Sequence, residues 1–171
     1  YDARVYEKAK SNLEIFIKKG ILVQEEKPSF YIYAQKMGDH QQYGIVAGVP
    51  ASDFESGKVK KHELTLAEKQ EDRTRHFETL NAQTGPIFLT YRAEPDIDGL
   101  VQEAVKGEPE YDFTSSDGIR HTVWVMSDRN EIDHLKSAFN RVPCLYIADG
   151  HHRAASAVEV ARRKRAADKR Q

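Results

Sequence analysis

The chain has 171 residues, of which 39% are hydrophobic and 31% charged, and its net charge is −1. That length suits one domain with a substantial core, and the near-balanced charge excludes a global field that would draw the chain to nucleic acid or a membrane surface. No apolar run approaches a membrane span, no signal-peptide pattern opens the chain, and a lone cysteine, Cys144, excludes an internal disulfide framework, so the expected setting is a reducing cytoplasm.

In chain order, Ala3 to Lys19 reads as a helix, with Val5, Ala9, Leu13, Phe16 and Ile17 at helical spacing and Gly20 as its stop. Phe30 to Ala34 and Tyr43 to Val49 are β-favouring runs around the polar turn Gly38 to Gln42, a predicted hairpin with a solvated His40. After a polar loop, Thr65 and Glu68 read as a capping box, with Thr65 as N-cap of a densely charged helix from Leu66 to Gln83. Glu68, Asp72 and Arg75/His76 share one face of it, the usual pattern of a solvated helix with ion pairs. Pro86 to Tyr91 is a short buried-type strand, and Asp96 to Lys106 a modest helix. Glu108 to Phe113 and Arg120 to Met126 flank Ser115-Ser116-Asp117-Gly118, a strong hairpin signal. On these strands Trp124 is expected in the core and His121 in cross-strand pairing. Asp128 with Glu131 caps a helix to about Asn140 that turns Ile132, Leu135 and Phe139 inward. Cys144 lies in an apolar run and reads as core. In the last helix Ala154, Ala155, Val158 and Ala161 are the apolar face, and Arg162, Arg163, Lys164, Arg165, Lys169 and Arg170 form a basic, solvated end. The fold expected from these elements is α+β, with hairpins and small mixed sheets packed by about five helices.

The stretch with chemical content is Val142 to Ala157. An apolar run, Cys144 to Ala148, turns at Asp149-Gly150 and enters an Ala-rich helix. The first amides of a helix have no partner inside it, and the macrodipole favours an anion before them. Gly150 permits close backbone approach, Arg153 adds a planar fork suited to phosphate, and His151 and His152 are hydrogen-bonding neighbours. An ordinary Asp-Gly surface turn reads the same over four residues; three such side chains in a row favour a site. There is no Walker loop, dinucleotide fingerprint, zinc helix, Cys-x-x-Cys pair or Gly-x-Ser-x-Gly elbow.

Tyr-Ile-Ala-Asp-Gly-His-His-Arg-Ala-Ala, residues 146–155, is similar to the signature of a bacterial and archaeal uncharacterised family labelled SpoOJ regulator. That family resembles a branch of the ParB/sulfiredoxin-like superfamily, which includes free-serine kinases. Lys61-His62-Glu63-Leu64-Thr65 and Glu71-Asp72-Arg73 are a second match. The resemblance covers essentially the whole chain and implies one ParB/sulfiredoxin-like domain over residues 1–171, expected to be a fragment of a longer protein. His151 stands where the corresponding turn of sulfiredoxin, similar to Gly-Cys-His-Arg, has its cysteine thiol, which speaks against sulfinic-acid repair.

The resemblance implies a nucleotide-binding phosphotransferase, a kinase acting on a free amino acid such as serine, with ATP or ADP and Mg²⁺ as cofactors. Gly150, His152, Arg153, His62, Thr65, Asp72 and Arg73 would hold the nucleotide. Glu63, Asp149 and His151 would be catalytic, with Glu63 or Asp149 taking the acceptor's proton or holding the ion, though no metal ligand is assigned with certainty. The alternative is a nucleotide-gated regulatory module of ParB type, without small-molecule turnover. The partners expected are a nucleotide and a small acceptor; nucleic acid is disfavoured, a membrane is not expected, and a homodimer stays open.

Overall fold

A computed structural model describes residues 2–168. Lys169 and Arg170 of the basic end lie outside the described residues. The elements are α1 (Ala3–Lys18), β1 (Phe30–Met37), β2 (His40–Val46), α2 (Ala51–Glu55), β3 (Val59–Lys60), α3 (Ala67–Leu80), β4 (Phe88–Thr90), α4 (Pro95–Ala104), β5 (Tyr111–Thr114), β6 (Arg120–Met126), α5 (Arg129–Arg141), β7 (Leu145–Asp149) and α6 (His151–Asp168). The fold is therefore α+β, with two small sheets. No helix among the described residues is long and apolar enough to cross a membrane. The chain divides into two compact units, each assembled from separated segments.

One unit comprises residues 25–49 and 92–143. Its antiparallel sheet has the order β2-β1-β6-β5. The pairing of Ile32 with Trp124 and of Ala34 with Thr122 sets alternate residues on one face, where Ile32, Ala34, Thr122 and Met126 are buried. Ile97 and Val101 of α4 and Ile132, Leu135 and Ala138 of α5 complete this unit's core. Asp128 caps α5 as expected, accepting from the amides of Asn130 and Glu131 at 2.9 and 3.1 Å. His121 is cross-paired: it bonds Tyr33 Oη at 2.6 Å and Ser115 Oγ at 3.0 Å and stacks on Phe113.

Three expectations need correction here. The strand β2 begins at His40, because Gly38, at φ +58°, makes the turn tighter than the polar run suggested. Trp124 is only half-buried, because its indole N–H donates to the carbonyl of Gly107 at 3.0 Å and holds the ring at the margin of the sheet. The buried position near the end of α5 is Ala138, with Phe139 half-buried, since the inward stripe runs 132, 135, 138.

The other unit comprises residues 1–24, 50–91 and 144–171. Its sheet has the order β3-β7-β4, with β3 parallel and β4 antiparallel to the central β7. The helix α6 follows β7 through Gly150 and packs on α3 and α2, and α1 packs on α3. Its core includes Tyr6, Val59, Phe77, Leu80, Leu145, Ile147, Ala154 and Val158. Two polar ties lock the helices. Tyr6 Oη donates to Asp72 at 2.7 Å, and Ser156 Oγ, 0% exposed, donates to the carbonyl of Gln70 at 2.9 Å. Ser156→Ala is expected to cost about 1 kcal/mol, since it removes one buried hydrogen bond while the Gln70 carbonyl keeps the Thr74 hydroxyl as a donor. Chemical denaturation reads that loss, and an unchanged midpoint would deny the tie any weight.

Two more corrections fall in this unit. The helix α3 starts at Ala67 behind an extended Leu66, and no side chain caps it. The hydroxyl of Thr65 donates instead to Gln70 Oε1 at 2.7 Å, so the capping box does not form. Cys144 is half-buried rather than core, its thiol donating to the Tyr146 hydroxyl at 3.2 Å.

The basic end of α6 is also more than solvated. Arg163 bonds Glu71, Glu78 and Glu159 at 2.8, 3.1 and 3.0 Å, while Arg162 and Arg165 share Glu55 at 2.8 and 2.7 Å. The Arg163 guanidinium holds the Glu71 carboxyl below its ordinary range, and Arg162 does the same for Glu55. A carboxyl depressed in the folded state contributes stability that is present above its unfolded pKa of about 4.3 and is lost as pH falls through the folded value. Between pH 6 and pH 3 the melting temperature is therefore expected to fall less steeply in a Glu55→Gln, Glu71→Gln double variant than in the parent. Parallel curves would show that the network carries no acid sensitivity.

Candidate functional site

A cavity of about 210 Å³ opens in the unit built on β3-β7-β4. Phe54 of α2, Ile147 of β7 and Ala155 and Val158 of α6 form its apolar wall. Lys61, Glu63, Thr65, Gln70, His151 and Arg162 supply the polar groups. Positions 151, 155, 158 and 162 form one stripe at helical spacing along α6, which is why a single helix lines the cavity from end to end. The short parallel pairing of Val59 with Leu145 brings the 61–66 loop beside the β7–α6 corner.

The loop and the corner meet at Glu63. Its carboxylate lies 3.7 Å from Nδ1 of His151 and 3.8 Å from Nε2 of His62. The two imidazoles touch edge to face, with centroids 4.4 Å apart. His151 is 7% exposed, whereas His62 and Glu63 are 62% and 65% exposed. Lys61 Nζ sits 5.9 Å over the Phe54 ring, and Arg162 reaches the cavity while held by Glu55. The cavity thus presents two cations, one carboxylate and one buried imidazole, a set suited to an anionic ligand that must also lose a proton.

The glycine corner itself faces elsewhere. Gly150 has φ +93°. Arg153 folds back over it and donates to Asp149 Oδ2 at 2.6 Å, with the arginine side chain 32% and the aspartate 72% exposed. The guanidinium also lies against Gly85, where a Cβ would meet Nη1 at 3.3 Å. Arg153, Asp149 and Gly150 are therefore an engaged cluster beside the cavity and not part of its wall.

Of the residues singled out by sequence, the cavity gathers Glu63, Thr65 and His151, with His62 against the last. His152 is half-buried and outside the wall, with no hydrogen-bond partner for its Nδ1 among the described residues. Asp72 is tied to Tyr6, and Arg73 is on the exposed side of α3. Sequence reasoning missed Phe54, Lys61, Gln70 and Arg162 as lining residues. The stripe 151-155-158-162 was a readable signal for Arg162; the others arrive by tertiary folding alone. No cluster of three or more side chains able to hold a metal ion forms among the described residues.

A family model described as a protein of unknown function, DUF1015, matches residues 1–171, and the chain belongs to that family. No curated protein and no solved structure matches it.

Proposed function

We propose that this protein binds a nucleotide and transfers its terminal phosphoryl group to a small hydroxyl-bearing acceptor, with a free amino acid such as serine the first to test. The observation that carries this reading is the convergence of two stretches 88 residues apart, Glu63 and His151, in a cavity walled by Lys61 and Arg162. Phosphoryl transfer needs charge neutralisation and positioning more than covalent help, and a base for the acceptor's proton. Lys61 and Arg162 are suited to the first and Glu63 to the second. The cavity is smaller than the roughly 300–1,000 Å³ that encloses a drug-sized ligand. It suits an acceptor or a phosphate tail, with the nucleoside outside. Mg²⁺ would arrive on the nucleotide's own phosphate oxygens and water, as its preference for retained waters allows. The likeness of residues 146–155 to the signature of a family that resembles the ParB/sulfiredoxin-like superfamily is what suggests a nucleotide as donor, while the glycine corner itself lies outside this cavity.

One observation favours a second reading. Arg153, paired with Asp149 over the corner, is placed to let go when an anion arrives, so a nucleotide could act there as a switch without turnover. The DNA contact such a module would make is disfavoured, because Arg163 and Arg165 of the basic end are already matched to Glu71, Glu78 and Glu55.

A panel of nucleotides with and without Mg²⁺, followed by thermal unfolding, tests the proposal. A ligand at 100 times its Kd adds about 2.7 kcal/mol, a rise of roughly 5–10 °C for a chain of this size. Lys61→Ala is expected to abolish the rise. No stabilisation by any nucleoside phosphate would end the reading, and binding without phosphorylation of any acceptor would favour the switch.

A further inference from the structure

The sheet built from residues 25–49 and 92–143 is buried on one face and open on the other. Ile32, Ala34, Thr122 and Met126 turn inward, so the residues between them turn outward. Register sets Tyr33, Val123 and Tyr111 in one row across three strands of that outer face. In the neighbouring row His121 pairs with Phe113. Tyr111 and Phe113 are 58% and 55% exposed, and Val46, opposite Tyr31, is 44% exposed. A contiguous aromatic and apolar surface of this kind marks an interaction site. Its rings are also held in place. Tyr33 and His121 lie within 9° of parallel, Phe113 and His121 within 22°, and both nitrogens of His121 are hydrogen-bonded. Rings fixed in advance lose little freedom when a partner arrives.

The charge around this face selects the partner. This unit holds 14 Asp and Glu against 8 Lys and Arg, although the whole chain is nearly neutral. Because β1 and β5 both run antiparallel to β6, they start at the same end of the sheet. Glu25 and Glu26 precede β1 there, Glu108 and Glu110 precede β5, and Glu25 accepts from the Tyr31 hydroxyl at 3.2 Å. Asp39 and Asp117 sit in the turns at the other end. The bases at these ends are Lys27, Lys36 and Arg120, and Arg120 is bonded to Asp112. This acidic surround repels the phosphates of a nucleic acid or an anionic membrane and attracts a cation. Exposed rings attract a cation as well. Arginine answers both, since its guanidinium stacks on rings and bonds carboxylates in pairs.

We propose that this face docks a basic, arginine-bearing segment of a partner protein, with Tyr111 and Phe113 as aromatic contacts and Glu108 and Glu110 as charge contacts. The role is independent of the phosphotransfer reading. The test titrates the 171-residue chain with a short peptide of alternating arginine and serine at physiological salt, read by peptide anisotropy and by NMR of the aromatic rings. The ring signals of Tyr111, Phe113 and His121 are expected to shift. Tyr111→Ala with Phe113→Ala is expected to weaken binding about fivefold or more, the loss of two exposed cation–π contacts. Glu108→Gln with Glu110→Gln keeps the rings and is expected to weaken it about threefold or more. This second pair decides the matter if thermal unfolding shows that the ring variant does not fold. No binding, shifts confined to signals outside this sheet, or binding that a folded variant leaves unchanged overturns the proposal. A short oligothymidylate that binds the same rings more tightly than the peptide overturns it in favour of nucleic acid. Self-association that Tyr111→Ala with Phe113→Ala dissolves overturns it in favour of a second copy of this chain.

Discussion

An alanine at position 150 is expected to lower the stability of the chain by about 2–4 kcal/mol, through backbone strain and overpacking acting together. The backbone there has φ +93°, a conformation that side chains rarely adopt. The added Cβ would lie 2.9 Å from Cγ2 of Ile87 and 3.0 Å from Nη2 of Arg153. The guanidinium can swing aside only by leaving Asp149, and Ile87 must move as well. Thermal unfolding should show a drop of roughly 5–15 °C. Gly99→Ala is the control: it sits in α4 with nothing within 4 Å of a new Cβ, and should stabilise by about 0.5–1 kcal/mol. If Gly150→Ala unfolds within about 0.5 kcal/mol of the parent, the corner is not the tight element described above.

Glu63→Gln is expected to lower kcat by about 10²–10⁴-fold while leaving KM within a few-fold, the usual loss when a general base is removed. The amide keeps the shape of the side chain beside His62 and His151 but takes up no proton. Because Glu63 is 65% exposed, the melting temperature should hardly move, surface changes costing about 0.5 kcal/mol or less. That split separates chemistry from folding. A variant with parental kcat would remove Glu63 from the proposed reaction, and one with a much lower melting temperature would make it structural.

Local signals carried the secondary structure well. Asp128 before α5, Gly20 after α1 and Asp117-Gly118 between β5 and β6 each act within a few residues, so sequence alone exposes them. Thr65 shows the limit of such signals. The spacing to Glu68 fits a capping box, yet an extended Leu66 delays the helix and the hydroxyl finds Gln70. Trp124 and Cys144 were misplaced for a related reason: each has a polar atom whose partner, the Gly107 carbonyl or the Tyr146 hydroxyl, a hydrophobic pattern does not register. In the candidate site, Glu63 and His151 were legible as members of two marked stretches. Their meeting was not, because it depends on two residues of β3 lying parallel to β7. Arg153 was legible in sequence only as an anion fork; that it also reaches back to Asp149, four residues earlier, is seen in the fold.

The slot between Gly85 and Gly150 has an evolutionary corollary. Position 85 has no positive φ; what crowds an added side chain there is the arginine beside it, which would have to give by a few tenths of an ångström. Homologous chains that exchange Arg153 for something short are expected to diversify more freely at 85, whereas those retaining it are expected to favour small residues there. The two sites should covary, while 150 stays invariant in either lineage.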